Sequence, residues 1–302
     1  MFSSIFKTIF KEISHHLRFN TLNDVEGYGQ NSSGDVVKQI DIDCEMIFIK
    51  HLKNNKLNII GYISEETDNL TFFKNIEIDE TKDSYIVTFD PLDGSSNYSS
   101  NINTGSIYGI YSYNKKAHKL IDIVHSGYCM YGINSIMVYT EEDTVIMSIL
   151  TGWENFNKVS DIHFNKIIKR QKIYSINESN SYDPEIKFLL QQYKSNNYNM
   201  RWVGTLVADA HRILLNDGIF YYPSNNNHMF GKIRMLYESI PMAYIFKLAG
   251  GVGLNANYNN ILDTIPTFNL DTPHKSSSII LASKQEYDHL LNLLDLYEAN
   301  KN

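Results

Sequence analysis

Two apolar segments in the first half of the sequence end in clusters of acidic residues, and this feature limits the possible folds most. Residues 57–63 are predicted to form a strand that stops at the Ser-Glu-Glu run of residues 64–66. Residues 84–89 are predicted to form another strand, which stops at the Asp-Pro-Leu-Asp-Gly run of residues 90–94. Acidic side chains at strand ends are held on a rigid frame and face a common edge. The fold is therefore expected to bring these acids together.

The rest of the sequence predicts helices and sheets in layers. Helical spacing of apolar residues predicts two early helices, at 5–18 and 36–52. Further strands are predicted at 106–113, 135–139, 144–150, 172–176 and 219–222. Further helices are predicted at 184–193, 203–216, 238–249 and 284–297. We expect an α/β fold with two α/β domains, residues 1–165 and 166–302, and the active site between them.

The composition excludes several classes of protein. The 302 residues are 43% hydrophobic and 20% charged, as in ordinary globular proteins. A net charge of −7 argues against nucleic acid or an anionic membrane as the main partner, and no apolar run is long enough to span a bilayer. The two cysteines are too few for a disulfide scaffold. The first residues carry charges at helical spacing, unlike a secretory signal, so we expect a cytoplasmic protein.

The acids at the two strand ends predict a metal site. Glu65, Glu66, Asp90 and Asp93 would repel one another strongly without cations between them. Oxygen ligands without Cys or His fit Mg²⁺ or Mn²⁺ rather than Zn²⁺. The alternative is a solvent-exposed turn, because Asp, Pro, Gly, Ser and Asn are common turn residues. The position of residues 90–97 directly after a strand, with a Glu pair after the preceding strand, favours the metal site.

Anion sites are predicted beside these acids. The backbone N–H groups of residues 94–96 can point at a phosphate where the chain turns. Lys232 and Arg234 lie two positions apart, so both can face one pocket and bind a second phosphate that does not react. A solvated charged strand is the alternative for these two residues. Glu238 is expected to open a helix, where the dipole favours a carboxylate. Metals beside amides indicate cleavage of a phosphate ester.

Residues 90–97 resemble the metal-binding motif of the class I fructose-1,6-bisphosphatase family, one of the metal-dependent, lithium-sensitive sugar phosphatases. The likeness extends in family order from about residue 5 to residue 297. The other segments that resemble family motifs are residues 34–41, 64–66, 172–178, 201–204, 207–212, 218–223, 231–238 and 241–244. The resemblance implies a layered α-β-α-β-α fold and a homo-oligomer, taken as a tetramer. It implies hydrolysis of the 1-phosphate of fructose 1,6-bisphosphate, a reaction of gluconeogenesis.

The resemblance also implies roles for individual residues. Two or three Mg²⁺ (or Mn²⁺) ions per subunit would be held by Asp35, Glu65, Asp90, the Leu92 carbonyl, Asp93 and Glu238. The attacking water would be activated by Glu66 with Asp41. The departing 1-phosphate would bind to Gly94, Ser95 and Ser96. The phosphate that stays would bind to Asn177, Tyr222, Lys232 and, from a neighbouring subunit, Arg201, beside the Arg234 that the spacing argument above adds.

Departures from the family pattern predict differences in ligand binding. The family's AMP site uses a Lys-Tyr pair before the metal motif and an Arg after a Gly-Ile-Tyr strand. Here these positions are occupied by Ser84 with Tyr85, and by Ser112. We expect no inhibition by AMP, because two cations that would hold its phosphate are missing. Trp202 and Asn180 replace two family tyrosines beside the phosphate pocket, and Trp202 has no phenolic hydroxyl.

Three alternatives stay open at the level of sequence. Sedoheptulose 1,7-bisphosphate, a longer sugar, is an alternative substrate, although residues 208–212 and 241–244 look more like the fructose enzymes. A single-phosphate inositol phosphatase shares the Asp-Pro-x-Asp-Gly core, but the late Trp-Asp pair that supplies its usual third acid is absent. A catalytically weak sugar-phosphate sensor is the alternative outside the enzymes, because Trp202 and Asn180 alter the phosphate pocket.

Overall fold

The computed structural model describes residues 2–19, 27–30, 36–74, 81–152, 154–180 and 182–301. Helices and sheets alternate in five layers, which confirms the predicted α/β fold. The α-helices are α1 (Ser3–Phe19), α2 (Gln39–Lys53), α3 (Pro184–Ser195), α4 (Leu206–Asn216), α5 (Ile240–Leu248) and α6 (Lys284–Lys301). α1 and α2 pack on the outer face of a large sheet, and α4 and α5 lie between it and a smaller sheet. α3 and α6 cover the smaller sheet.

The large sheet is built from the first half of the chain, after a short hairpin-like pair of strands, β1 (Gly27–Gln30) and β2 (Val36–Lys38). Its strands are β3 (Ile59–Ser64), β4 (Thr71–Phe72), β5 (Ser84–Asp93), β6 (Thr104–Asn114), β7 (Lys119–Tyr131), β8 (Ser135–Glu141), β9 (Thr144–Thr151) and β10 (Asn155–Ile162). Their spatial order is β10-β9-β8-β7-β6-β5-β3-β4. β3 and β5 run parallel, whereas the other neighbours run antiparallel.

The smaller sheet is built from the second half. Its strands are β11 (Ile173–Ser175), β12 (Asn199–Met200), β13 (Ile219–Tyr222), β15 (Gly251–Leu254) and β17 (Ile279–Ser283). Their order is β12-β11-β13-β17-β15. A separate pair, β14 (Ile233–Arg234) with β16 (Ser276–Ser277), lies beside the site described below. One hydrophobic cluster includes residues of both sheets, among them Ile60 and Leu281, so the two halves share buried surface.

The first helix shows how the apolar pattern becomes packing. Phe6, Ile9, Phe10 and Ile13 are fully buried along one face of α1, as the helical spacing predicts. Phe6 stacks on Tyr108 of β6 with ring centroids 3.4 Å apart. Burying each such side chain contributes about 1.5–3 kcal/mol. None of the helices in the described ranges has both the length and the apolar character needed to cross a bilayer.

Some predicted boundaries are wrong, and the structure shows why. β7 and β10 were not predicted, because polar residues such as His125 interrupt the alternation of apolar side chains on which the prediction depends. α2 begins at Gln39 instead of residue 36, because residues 36–38 pair with β1. α4 begins at Leu206 instead of residue 203, because the Thr205 hydroxyl caps it by accepting the Ala208 N–H at 3.3 Å.

The segment before α5 is a turn of π-helix, Met235–Ser239. Glu238 is therefore the fourth residue of a wide turn, and the prediction that it opens a regular helix is wrong in this detail. Turns of this kind occur mostly as single insertions in helices and are frequent at functional sites. The extra residue changes the direction in which Glu238 projects relative to α5.

Candidate active site

A cleft of about 500 Å³ lies where the ends of β3 and β5 meet the start of α4 and the segment around β14. The predicted site residues from the first half that line it are Asp41, Glu65, Glu66, Asp90, Leu92, Asp93, Gly94, Ser95 and Ser96. Those from the second half are Asn177, Tyr222, Lys232, Arg234 and Glu238. Among the residues that the structure describes, the fold brings together all the predicted site residues except Arg201.

Arg201 follows β12 and is exposed, and its guanidinium donates to the Met200 carbonyl oxygen at 2.8 Å. It does not line the cleft of its own chain, so its role toward a neighbouring subunit stays a prediction. Asp35 lies outside the described residues. Lys38 and Thr205 line the cleft although no role was predicted for them. The available signals were a lysine three positions before Asp41 and a threonine just before a helix.

The parallel pairing of β3 with β5 places the two acidic runs side by side. Ser64 pairs with Phe89, and the Glu65 N–H continues the ladder by donating to the Phe89 carbonyl oxygen at 3.2 Å. Glu65 consequently lies beside Asp90 at the same edge of the sheet. The prediction that the two acidic runs face a common edge is confirmed, whereas the predicted end of the second strand at residue 89 is wrong, because β5 continues to Asp93 in pairing with β6.

Glu65 and Glu66 occupy the centre of a tight turn. The Thr67 N–H donates to the Ser64 carbonyl oxygen at 3.3 Å, and the Ser64 N–H donates to the Thr67 hydroxyl at 3.1 Å. The Glu66 N–H donates to the Ser64 hydroxyl at 3.2 Å. Since the turn is fixed at both ends, both glutamates are held at the cleft.

Asp93 joins the first half of the chain to the start of α4. Its two carboxylate oxygens accept the N–H groups of Leu206 at 3.2 Å and of Val207 at 2.6 Å. Burial raises the pKa of the Asp93 carboxyl to about 6, against the lowering effect of these two N–H groups. The positive end of the helix dipole stabilises the ionised form at this place.

Gly94 allows the chain to turn sharply after Asp93. Its φ of +73° lies in the left-handed region, and a Cβ atom there would come 1.9 Å from Cγ2 of Thr205. Only glycine meets both conditions without strain. The turn after β5 can therefore lie directly against the N-terminus of α4.

Glu238 is oriented by a hydrogen bond from β14, and the π-turn that carries it is supported by the large sheet. Its Oε2 atom accepts the Arg234 N–H at 2.6 Å. The Leu236 carbonyl oxygen accepts two hydroxyl hydrogen bonds, from Thr88 at 2.6 Å and Tyr111 at 2.7 Å. Both hydroxyl residues are fully buried. The π-turn thus has a side-chain support on β5 and β6.

Three buried carboxylates form the centre of the cleft. Ligand oxygens of Asp90, Asp93 and Glu238 all lie within 4.8 Å of one another. Burial raises the pKa of Asp90 and of Glu238 well above the usual range, and the neighbouring charges of Glu65 and Asp93 raise both further. Buried like charges at this distance are costly unless a cation neutralises them. The donor set consists of carboxylate oxygens, which fits a hard divalent cation such as Mg²⁺ or Mn²⁺.

Asp41 lies at the other side of the cleft, in the first turn of α2. Its Oδ2 atom accepts the Lys38 N–H at 2.9 Å, and the Lys38 ammonium donates to the Ser95 carbonyl oxygen at 2.8 Å. Burial raises the pKa of Asp41 to about 6, against the lowering effect of its hydrogen bonds and of the Lys38 charge. A carboxyl with this pKa can accept a proton near neutral pH.

Another part of the cleft lining combines cations with an aromatic wall. Lys232 is exposed, and Arg234 is half-buried two residues later, with both side chains lining the cleft. Trp202 lies nearly parallel to Phe220, with ring centroids 6.3 Å apart, and 6.0 Å from the Tyr222 ring. Two cations beside flat apolar rings can hold a phosphate at the end of a sugar.

Asn177 is fixed by its own loop. Its Oδ1 atom accepts the Ser179 N–H at 3.1 Å, and its backbone carbonyl oxygen accepts the Tyr182 hydroxyl at 2.7 Å. Because the side-chain oxygen is directed at Ser179, the amide N–H₂ is the group that Asn177 can offer to a ligand.

Both halves of the chain match models of one protein family. The family model described as "Fructose-1-6-bisphosphatase, N-terminal domain" matches residues 1–157. The model described as "Fructose-1-6-bisphosphatase, C-terminal domain" matches residues 167–295. The chain belongs to the fructose-1,6-bisphosphatase family. The predicted family is confirmed, and with it an enzyme that is a phosphoric monoester hydrolase.

Named fructose-1,6-bisphosphatases are similar to this chain over nearly its whole length. The Schizosaccharomyces pombe enzyme is 33% identical, over 94% of this chain and 83% of the relative. Fructose-1,6-bisphosphatase 1 of Mus musculus is 33% identical, over 97% of this chain and 88% of the relative. The crystal structure of Leishmania major fructose-1,6-bisphosphatase in its holo form superposes with a TM-score of 0.85 at 29% identity, covering 97% of this chain and 93% of that one.

Proposed function

We propose that this chain hydrolyses the 1-phosphate of fructose 1,6-bisphosphate in a Mg²⁺-dependent reaction, giving fructose 6-phosphate and inorganic phosphate. One observation carries the proposal: the buried cluster of Asp90, Asp93 and Glu238 shares a single cleft with Lys232 and Arg234. A carboxylate cluster that suits divalent cations serves the phosphate that leaves. The two cations in the same cleft serve the phosphate that stays, and binding of this second phosphate supplies energy for positioning the reacting end.

The proposed metal ligands are Glu65, Asp90, the Leu92 carbonyl, Asp93 and Glu238, with Asp35 for a third ion. Bound divalent cations would supply Lewis-acid activation of the phosphate and lower the pKa of a water molecule. The residues themselves set the geometry, because Asp93 is fixed by α4 and Glu238 by the π-turn.

Glu66 and Asp41 would prepare the attacking water. Glu66 would accept a hydrogen bond from the water and hold it in line with the bond from phosphorus to sugar O1. Asp41 would take up the proton, since burial raises its pKa to about 6. As the new bond from water oxygen to phosphorus would form, the bond to O1 would break; O1 would take a proton from solvent, and Asp41 would release to solvent the proton that it took from the attacking water. The backbone amides of Gly94, Ser95 and Ser96 would hold the phosphate oxygens meanwhile.

The second half of the chain would hold the sugar and its 6-phosphate. We propose that Lys232, Arg234, Tyr222 and Asn177 bind this phosphate, together with Arg201 of a neighbouring subunit. Exposure of Arg201 on the surface supports a role outside its own cleft. The proposal includes a homo-oligomer, taken as a tetramer. It also includes a division of labour in which residues 1–165 supply all the metal ligands except Glu238, and residues 166–302 hold the sugar phosphate.

We also propose that AMP does not inhibit this enzyme. Ser84 and Ser112 occupy the positions at which the family has cations. Phe2, which directly precedes α1, lies edge-on against Tyr85, with ring centroids 5.1 Å apart. A nucleotide phosphate would meet an apolar ring and two neutral hydroxyls there. Titration of the activity with AMP tests this, and strong inhibition would contradict it.

The experiment that tests the main proposal is a substrate panel with purified protein. Phosphate release is measured from fructose 1,6-bisphosphate, sedoheptulose 1,7-bisphosphate and inositol 1-phosphate, each with Mg²⁺ and with excess chelator. We expect the highest kcat/KM with fructose 1,6-bisphosphate and no release in chelator. A preference for sedoheptulose 1,7-bisphosphate would reassign the substrate. Slow release that is equal in the native chain and in Asp93→Asn would favour the sensor.

A further inference from the structure

The carboxylates around the proposed metal site come from two distant parts of the chain, and one histidine connects those parts. Glu65 and Glu66 lie in the turn that Ser64 and Thr67 close, whereas Glu238 lies in the π-turn. His274 precedes β16 and contacts both segments through its two ring nitrogens.

The contacts of the His274 ring place one proton on Nε2. Nε2 lies 2.8 Å from the Thr67 carbonyl oxygen and 3.2 Å from the Asp68 carbonyl oxygen. Carbonyl oxygens only accept hydrogen bonds, so Nε2 carries the proton. Nδ1 lies 2.9 Å from the Tyr237 hydroxyl. In the neutral ring Nδ1 accepts, so Tyr237 donates, and burial favours this neutral form by lowering the pKa of His274.

These contacts reach the residues next to the carboxylates. Thr67 closes the turn that holds Glu65 and Glu66, and Tyr237 directly precedes Glu238. The backbone of His274 contacts a residue that we propose binds the sugar phosphate: its carbonyl oxygen accepts a hydrogen bond from the Arg234 guanidinium at 3.2 Å. The ring of His274 thus contacts the two segments that carry the carboxylates, and its backbone contacts the Arg234 side chain.

We propose that His274 is a positioning residue that sets the spacing between the Glu65–Glu66 turn and Glu238, and through it the affinity for divalent cations. The inference rests on the proposed function, since it assigns the support of that same site. Groups that orient metal ligands from behind typically change metal affinity or activity 10–100-fold when they are removed.

Two substitutions separate the contacts of the ring. In His274→Asn, the side-chain amide replaces Nδ1 and can still meet the Tyr237 hydroxyl, but it is too short to reach Thr67. In His274→Gln, the amide nitrogen reaches the place of Nε2 and can still donate to the Thr67 carbonyl oxygen. Both variants keep the backbone contact to Arg234. Tyr237→Phe removes the hydroxyl that contacts Nδ1 of His274 and leaves His274 itself unchanged.

A second tyrosine–histidine pair supplies the matched control. The Tyr113 hydroxyl lies 2.6 Å from Nδ1 of His118, in the turn between β6 and β7, outside the cleft. His118→Asn makes the same chemical change as His274→Asn at a place that supports no carboxylate of the site.

The measurements are Mn²⁺ binding to the metal-free protein by calorimetry, the Mg²⁺ concentration that gives half-maximal activity, and KM for fructose 1,6-bisphosphate. We expect His274→Asn and Tyr237→Phe to weaken Mn²⁺ binding about 10-fold or more and to raise the Mg²⁺ requirement similarly. KM is expected to change less than about threefold, because the contact to Arg234 is retained. His274→Gln should recover most of the metal affinity, and His118→Asn should match the native chain.

The proposal is overturned if His274→Asn binds Mn²⁺ like the native chain, or if His274→Asn and His274→Gln lose Mn²⁺ affinity equally. It is also overturned if folded His274→Asn raises KM as much as it raises the metal requirement. The proposed function fails in a different way: the native chain would bind Mn²⁺ without releasing phosphate from fructose 1,6-bisphosphate, and the binding data would still test His274.

Discussion

The carboxylate of Asp93 accepts the backbone N–H of Val207 at 2.6 Å, so a residue of the proposed metal site also caps the first turn of α4. The second oxygen accepts the Leu206 N–H at 3.2 Å. These two hydrogen bonds join the first half of the chain, which carries most of the acids of the cleft, to the second half, which carries the proposed sugar-phosphate residues. They also mean that substitutions of Asp93 test two properties, which can be measured separately.

Asp93→Asn is expected to abolish most of the activity but to lower the free energy of unfolding only slightly. Asparagine keeps one oxygen for a helix N–H but removes the negative charge, so kcat/KM should fall by at least about 100-fold. Loss of a helix cap costs about 1 kcal/mol. Thr205→Ala, which removes the neighbouring cap hydroxyl, is the control and should lose a similar stability but keep far more activity. Comparable losses of activity in both variants would contradict the metal role.

Gly94→Ala is expected to destabilise the protein because the new Cβ would overlap with Cγ2 of Thr205 at a positive φ. We expect a loss of about 1–3 kcal/mol in the free energy of unfolding, measured by urea titration. Thr205→Ser removes Cγ2 and keeps the cap hydroxyl. The double variant Gly94→Ala with Thr205→Ser should therefore lose less free energy of unfolding than the sum of the two single losses. Simple additivity would show that the overlap is not the cause.

Asp90→Asn should stabilise the metal-free protein while removing its response to Mg²⁺. Burial and neighbouring carboxylates raise the pKa of Asp90, so its charged form is unfavourable in the folded state at neutral pH. A neutral side chain of the same shape relieves this repulsion, and we expect a gain of about 1–3 kcal/mol in chelator. In Mg²⁺ the native chain should gain stability by ligand binding and the variant should gain almost none.

Asp217→Asn is the matched control for that experiment. Asp217 is also buried, but its carboxylate is paired with the Arg170 guanidinium at 2.7 Å, away from the cleft. Its neutralisation should lower the stability in chelator and leave the Mg²⁺ effect intact. If both variants destabilise the metal-free protein equally, the repulsion among the cleft acids is unimportant. Thermal unfolding with and without Mg²⁺ measures all of these differences.

One buried histidine, His211, contributes stability that is lost in mild acid. Nδ1 of His211 lies 2.7 Å from the Tyr128 hydroxyl, and burial lowers the pKa of His211 from 6.5 to about 4. Between these values the unfolded chain binds a proton that the folded chain does not, so this contribution to stability is lost as pH falls from 6.5 toward 4. The slope is about 1.4 kcal/mol per pH unit for one proton. His211→Asn, measured by urea unfolding at several pH values, should reduce the loss of stability between pH 6.5 and 4 by about this slope; an unchanged loss would contradict the assignment.

The centre of the site could be predicted because it follows from chain-local patterns. The acidic runs that follow residues 64 and 89 can share an edge only if their two strands are neighbours, and the parallel pairing of β3 with β5 provides this. Lys232 and Arg234 reach the cleft because they lie two apart on an extended segment, as expected. These inferences need only the period of a strand and the cost of crowding charges.

Other features depend on contacts between distant residues and leave no local pattern. The cap of α4 by Asp93 joins residues more than a hundred positions apart. The two hydroxyls on the Leu236 carbonyl oxygen, from Thr88 and Tyr111, are equally remote in sequence. β7 escaped prediction because it is buried along part of its length and exposed along the rest, so its side chains do not alternate regularly.

The π-turn of Met235–Ser239 has a consequence for insertions and deletions. Each residue of a regular helix advances the chain by about 100° around the axis. α5 is fixed by packing against both sheets, so removing one residue from this turn would swing the Glu238 carboxylate away from Asp90 and Asp93. The number of residues between β14 and α5 is therefore under constraint, independently of which side chains occupy it. A shortened variant could keep its core and still lose the geometry needed to gather divalent ions.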